Sequence, residues 1–144
     1  NDDNSVAIAA AGGIEVLVSL ARDGNQRQKE FAVGALRNLS ANNDNVAAIV
    51  AAGGIEVFMS LVRDGNEMQK GRAAAVLANL ADNDDHKVAI AAAGGIEVLV
   101  SLARDGNERQ KENAAGALWS LAHNDDNSVA IAAAGGVEVL IALA

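Results

Sequence analysis

The 144-residue chain has no Cys and two His, and its sequence offers no Ser-His-Asp or Cys-His arrangement for nucleophilic catalysis. The two histidines, His86 and His123, fall in predicted loop segments, and neither has a second His or a carboxylate set at metal-binding spacing. The absence of cysteine excludes a thiolate nucleophile, a disulfide framework and a thiolate zinc site. We therefore expect no enzyme activity, no cofactor and no metal ion.

Two recurring motifs resemble ion-binding or phosphate-binding loops, but their spacing indicates structural roles. The Asn/Asp clusters lack the alternating acidic residues, central Gly and closing Glu of a calcium loop. The pair Gly12-Gly13 has neither the Lys nor the spacing of a phosphate-binding loop. Because Asn and Asp side chains accept hydrogen bonds from the free N–H groups at a helix start, the clusters predict helix caps. The clusters occupy residues 1–4, 42–45, 83–85 and 124–127.

The chain repeats itself every 41 residues. The segment AGGIEV at residues 11–16 recurs at 52–57 and 93–98, and returns as AGGVEV at 134–139. A fixed period of this length without a strand pattern predicts a helical solenoid, in which each repeat contacts only its neighbours. We expect one domain, residues 1–144, with repeats at 1–41, 42–82 and 83–123 and a partial repeat at 124–144.

Each repeat contains signals for three helices. In the first repeat these span about Asn4–Ala11, Ile14–Arg22 and Gln26–Ser40. The Gly-Gly pair ends the first helix, since Gly adopts the left-handed conformation of a helix C-terminus. At the start of each third helix an Asn followed by a Gln three residues later predicts a capping box. The three pairs are Asn25–Gln28, Asn66–Gln69 and Asn107–Gln110.

This order of a short helix, a glycine corner and two further helices resembles the armadillo repeat. Residues 93–122, AGGIEVLVSLARDG…NAAGALWSLA, and the run ALRNL at 35–39 are similar to the family's usual sequence. One departure is Glu15 and its equivalents, where many members have Pro, but Glu also suits the start of a helix. The resemblance implies an all-α fold, a right-handed α-solenoid of about 3.5 armadillo repeats. HEAT repeats are the nearest alternative, but they contain two helices each.

The resemblance also implies a site. In armadillo proteins the third helices line a concave groove, where an Asn in each holds the backbone of an extended peptide. That position falls on Asn38 and Asn79, and in the third repeat on Ser120. A side-chain amide offers both a donor and an acceptor to a peptide unit. The alternative interpretation is that Asn38 and Asn79 only bond neighbouring turns within the solenoid.

The single tryptophan does not occupy the position expected from importin-like members of the family. Those members carry a Trp one turn before the Asn, where this chain has Gly34, Ala75 and Gly116. Trp119 instead lies beside the Asn position and aligns with Arg37 and Ala78. Two interpretations are open: the ring stacks on a partner at the edge of the groove, or it packs between helices.

The charges bear on the kind of partner. The net charge of −8 argues against nucleic acid and anionic membranes, which bind clustered Lys and Arg. Glu30 and Glu112 lie two turns before the Asn position and, if they border the groove, favour a basic peptide. The alternative is that they are solvated surface charges paired with Lys29, Arg27 or Arg109. We expect a protein or peptide partner in extended conformation, basic in character.

The ends of the chain suggest a further property. Residues 1–13 are identical to residues 124–136, and neither end shows the polar face of a capping repeat. Two hypotheses follow: the chain is a segment of a longer array, or it forms a homo-oligomer through its ends. Without cysteine or a visible secretory signal, an intracellular location, cytoplasmic or nuclear, is expected. The alternative function is a structural or designed repeat module without a specific ligand.

Overall fold

A computed structural model of the chain describes residues 12–143, and across them all regular secondary structure is α-helical. The helices form the predicted solenoid, in which the second and third repeats each supply three helices and the described part of the first repeat supplies two. The first predicted helix, at about Asn4–Ala11, lies outside the described residues. The helices are α1 (Gly13–Asp23), α2 (Gln26–Leu39), α3 (Asn43–Ala51), α4 (Gly54–Asp64), α5 (Glu67–Leu80), α6 (Asp84–Ala92), α7 (Gly95–Asp105), α8 (Glu108–Leu121), α9 (Asp125–Ala133) and α10 (Gly136–Leu143).

The three third helices, α2, α5 and α8, begin where their capping boxes predict. In α5 the Asn66 side chain accepts a bond of 2.9 Å from the backbone N–H of Gln69. The Gln69 side chain in turn accepts a bond of 3.1 Å from the backbone N–H of Asn66. The same reciprocal pair starts α2 and α8, so the predicted capping boxes are confirmed in all three repeats.

The glycine pairs bend the chain sharply between the first and second helices of a repeat. Helices α3 and α4 meet at 83°. Gly53 has a φ of +86°, the left-handed region that side chains disfavour. At Gly54 a Cβ atom would lie 2.6 Å from the Ile49 Cγ2 and 2.7 Å from the Ile49 carbonyl oxygen. The first glycine therefore provides the conformation, and the second provides the space for the helices to pack closely.

The core runs along the solenoid rather than closing around one centre. Helix α5 lies between α2 and α8 and buries small residues such as Ala73 and Ala74 on its flanks. The second helices contribute larger apolar side chains, with Phe58 and Leu99 fully buried. Because Ala-rich surfaces allow close helix approach, consecutive third helices form a tight stack with one side left for solvent.

Within residues 12–143 no single helix has both the length and the apolar composition to cross a membrane, although three sharply bent helix pairs satisfy both criteria. His86 lies in the first turn of α6, so its predicted loop position is wrong. Its Nδ1 atom lies 3.2 Å from the Leu80 carbonyl oxygen, which ties the start of α6 to the end of α5.

Candidate functional site

The predicted site residues and their equivalents lie on one surface of the stacked third helices, which we call the third-helix face; Gly71 and Ala75 are buried within it. Its residues recur at intervals of three or four, and such spacing places side chains on one side of a helix. Because α5 packs against both α2 and α8, the three stripes lie side by side. The face consists of residues 30, 34, 37 and 38 on α2, 71, 75, 78 and 79 on α5, and 112, 116, 119 and 120 on α8.

Side-chain hydrogen bonds between repeats fix the register of this stack. Gln69 donates from Nε2 to the Gln26 Oε1 at 3.0 Å, and Gln110 donates from Nε2 to the Glu67 carbonyl oxygen at 2.9 Å. Both glutamines are buried, and both are also members of capping boxes. In α5 and α8 the same glutamine therefore caps the helix and joins it to the preceding third helix, which keeps the stripes of the third-helix face aligned.

A second pair of bonds between repeats was not expected from the sequence. The Arg72 Nη1 donates to the Glu30 carbonyl oxygen at 2.9 Å, and the Asn113 Nδ2 donates to the Gly71 carbonyl oxygen at 2.9 Å. Arg72 and Asn113 occupy the same position in consecutive repeats. In the first repeat that position is held by Phe31, which is 65% exposed. The sequence signal for these bonds is that this position is apolar in the first repeat and polar in the second and third.

The two asparagines of the predicted site differ in their surroundings. Asn38 is exposed, and its side chain makes no hydrogen bond to other described residues. Asn79 is half-buried and donates from Nδ2 to the Ser40 hydroxyl at 2.8 Å. The Oδ1 atom and the second amide N–H of Asn79 remain available. Ser120, at the third equivalent position, is half-buried.

Trp119 lies on the third-helix face with 67% of its surface exposed. Its ring contacts the ring of His123 edge-on, with the centroids 4.7 Å apart and the planes at 78°. The His123 Nδ1 also lies 3.0 Å from the Trp119 carbonyl oxygen, which holds the imidazole beside the indole. The contact with His123 leaves most of the indole surface open to a partner.

The two predicted acidic residues also differ. The Glu30 Oε1 accepts a bond of 3.3 Å from the Asn66 Nδ2, so its carboxylate is held at the start of α5. No ion pair joins Glu30 to Lys29, Arg27 or Arg109 within the described part of the chain. Glu112 is exposed on α8, two turns before Trp119. Of the two carboxylates, Glu112 is the more accessible to a ligand.

Comparison with known proteins agrees with this architecture. The model of the Armadillo/beta-catenin-like repeat matches residues 1–41, 42–82 and 83–123, so the chain belongs to the armadillo repeat family. The fold and the stacked third helices define a repeat-protein scaffold. A search of curated proteins found no match.

Solved structures of engineered proteins are similar over nearly the whole chain. The crystal structure of one engineered protein shares 38% identity at a TM-score of 0.93, covering 99% of this chain and 59% of that one. A designed armadillo repeat protein in complex with the peptide (KR)4 shares 25% identity at a TM-score of 0.92, and the match covers 99% of this chain and 61% of that one. A structure of computationally designed armadillo repeat proteins for modular peptide recognition shares 28% identity at a TM-score of 0.92. That match covers 98% of this chain and 60% of the other. This chain thus spans about three-fifths of the length of these proteins.

Proposed function

We propose that this scaffold binds a peptide in extended conformation along the third-helix face. The supporting observation is that Asn38 and Asn79 occupy equivalent positions on two helices stacked in register, and that both keep amide groups free to bond a ligand backbone. An amide side chain pairs with a peptide unit through one donor and one acceptor. Designed armadillo proteins of similar structure, one of them in complex with the peptide (KR)4 and others designed for modular peptide recognition, support a peptide as the ligand.

Two backbone contacts give modest affinity, so ligand side chains must contribute. A neutral hydrogen bond adds about 0.5–1.5 kcal/mol net. Trp119 and Glu112 lie two turns apart on α8, about 10 Å along the helix at 1.5 Å per residue. A Lys or Arg of the ligand over the exposed indole gains a cation–π contact, and the exposed Glu112 carboxylate can attract a second basic residue. This part of the face supports a basic residue in the peptide.

The test is titration of the protein with fluorescently labelled (KR)4 at physiological salt. The variant Asn38→Ala with Asn79→Ala should weaken binding about fivefold or more, since two hydrogen bonds are lost. Asn43→Ala is the matched control, because Asn43 is an exposed amide on α3 outside the third-helix face. Circular dichroism should show unchanged helicity in both variants. If the double variant binds (KR)4 as tightly as the Asn43→Ala control does, peptide binding along the third-helix face is contradicted.

A second candidate function is self-association through the two ends of the solenoid. Phe31 at one end and Ile141 at the other are 65% and 70% exposed, at positions that a further repeat would cover. The occupant we infer is a second copy of this chain. Sedimentation over a range of concentrations should show association for the original sequence and loss of it for Phe31→Lys with Ile141→Lys. A monomer at every concentration would rule out self-association.

A further inference from the structure

Three arginines, one from each third helix, line a single cleft that borders the third-helix face and shares Arg37 and Gly71 with it. The cleft has a volume of about 320 Å³ and lies where α2, α5 and α8 come together. Its arginines are Arg37, Arg72 and Arg109, and the other charged side chain in its wall is Glu67. We call this site the arginine cleft. Its local charge is therefore positive, opposite in sign to the net charge of −8 of the whole chain.

The Arg72 side chain extends from α5 and is held against α2. Its Nη1 donates to the Glu30 carbonyl oxygen at 2.9 Å, which draws the guanidinium across from α5 onto α2. A Cβ atom at Gly34 would lie 3.0 Å from the same Nη1, so the absence of a side chain there makes room for the guanidinium. One N–H of the guanidinium is used in this way, and the others remain available to a ligand.

Within the described residues, no carboxylate forms a salt bridge with the arginines of the arginine cleft. Among residues 12–143 the ion pairs are Arg22 with Asp23 and Lys87 with Asp84, and neither includes a cleft residue. Glu67 lies in the first turn of α5, where a carboxylate interacts favourably with the helix dipole. Glu30 is bonded to Asn66 instead of to an arginine. Three cations are therefore gathered in one cleft without a salt bridge.

We propose that the arginine cleft binds an acidic side chain, Asp or Glu, of the extended peptide. This inference rests on the function proposed above and adds a second charge requirement to it. A guanidinium pairs with a carboxylate through two parallel N–H···O bonds, and an anchored guanidinium such as Arg72 loses little freedom on doing so. The ligand then carries an acidic residue over α2 and α5 and a basic residue near Trp119. A purely basic ligand leaves the cleft unmatched.

The experiment compares peptides that differ only in one charge. In the carrier (KR)4, each position is replaced in turn by Glu or by its neutral isostere Gln, and dissociation constants are measured by fluorescence anisotropy. At one or more positions the Glu peptide should bind about fivefold more tightly than the Gln peptide, the upper range for a partly exposed ion pair. At other positions the Glu peptide should bind more weakly, because the protein as a whole is acidic.

A matched pair of variants then locates the preference. Arg37→Gln with Arg109→Gln removes two cleft charges without disturbing any hydrogen bond between the third helices, and the preference for Glu should disappear. Arg63→Gln with Arg104→Gln removes two exposed arginines from α4 and α7, away from the cleft, and the preference should remain. Survival of the preference in the first variant, or its absence from the unmodified protein, would overturn the proposal.

The outcomes separate this proposal from the function on which it rests. If (KR)4 binds and depends on Asn38 and Asn79, but no position favours Glu over Gln, groove binding stands and the acidic subsite is wrong. If binding of every peptide is insensitive to the Asn substitutions, the groove itself is wrong. If neither (KR)4 nor any substituted peptide binds, both proposals are overturned.

Discussion

The amide of Asn79 donates a hydrogen bond of 2.8 Å to the hydroxyl of Ser40, and that hydroxyl donates one of 2.7 Å to the carbonyl oxygen of Arg37. The two bonds connect α5 to the last turn of α2. The link is particular to this junction, because Ala81 and Ala122 occupy the position of Ser40 in the following repeats. Asn79 thus joins two repeats and still presents amide groups to solvent, whereas Asn38 is free of side-chain bonds within the described residues.

The first prediction concerns the coupling between these two residues. In a double-mutant cycle of Ser40→Ala and Asn79→Ala, we expect an interaction energy of about 0.5–1.5 kcal/mol, the net contribution of one neutral hydrogen bond. Urea unfolding followed by circular dichroism measures it. Asn38→Ala is the control and should change stability by less than about 0.5 kcal/mol, as expected for a surface substitution. Additive effects of the two substitutions would contradict the bond.

How well the sequence predicts each interaction in this structure depends on how far apart in the chain the two residues are. The capping boxes of Asn25, Asn66 and Asn107 join residues three positions apart, so local sequence was sufficient. The family resemblance then gave the stacking of the third helices. The bond from Arg72 to the Glu30 carbonyl oxygen joins residues 42 positions apart, and no local pattern encodes it.

The charge of the candidate site was harder to predict for the same reason. The position of Glu30 in the repeat predicts attraction of a basic ligand, yet the direction of its carboxylate depends on Asn66 in the next repeat. The arginine cleft collects one side chain from each of three repeats, and its existence depends on Gly34 leaving space for a guanidinium. Both features arise from contacts between repeats, which composition and net charge do not report.

The second prediction compares two glutamines with the same place in the repeat. Gln28 is exposed, and among the described residues its side chain makes only the two capping bonds. Gln69 is buried, makes the same capping bonds, and also donates to the Gln26 Oε1 at 3.0 Å. Gln69→Ala should therefore lower the free energy of unfolding by about 0.5–1.5 kcal/mol more than Gln28→Ala, since the bond that Gln69 Nε2 donates to Gln26 is lost together with the cap. Equal urea midpoints for the two variants would show that the bond between repeats contributes nothing.

The third prediction uses two helical glycines with opposite surroundings. At Gly95 a Cβ atom would lie 2.4 Å from the Ile90 Cγ2 and 2.7 Å from the Ile90 carbonyl oxygen, whereas at Gly116 it would meet nothing within 4 Å. Gly95→Ala should destabilise the fold by about 1–3 kcal/mol through overpacking. Gly116→Ala should stabilise it by about 0.5–1 kcal/mol, because Ala is the better helix former. Thermal unfolding measures both shifts, and a shift in the same direction for the two variants would contradict the helix packing.

The last prediction separates stability from binding at Trp119. Because 67% of its surface is exposed, Trp119→Ala should change the free energy of unfolding by less than about 0.5 kcal/mol, while Phe58→Ala in the buried core should cost about 3–5 kcal/mol. The same Trp119→Ala variant should weaken binding of labelled (KR)4 about threefold or more, as a cation–π contact at an exposed site contributes about 0.5–1 kcal/mol.

Since Trp119 is the only tryptophan in the chain, acrylamide quenching of the unmodified protein gives an independent signal. Quenching should be strong in the free protein and fall when (KR)4 is added, because the ligand covers the indole. Unchanged quenching at saturating peptide, together with unchanged affinity of Trp119→Ala, would place the ligand away from α8 and restrict the groove to the surface of α2 and α5.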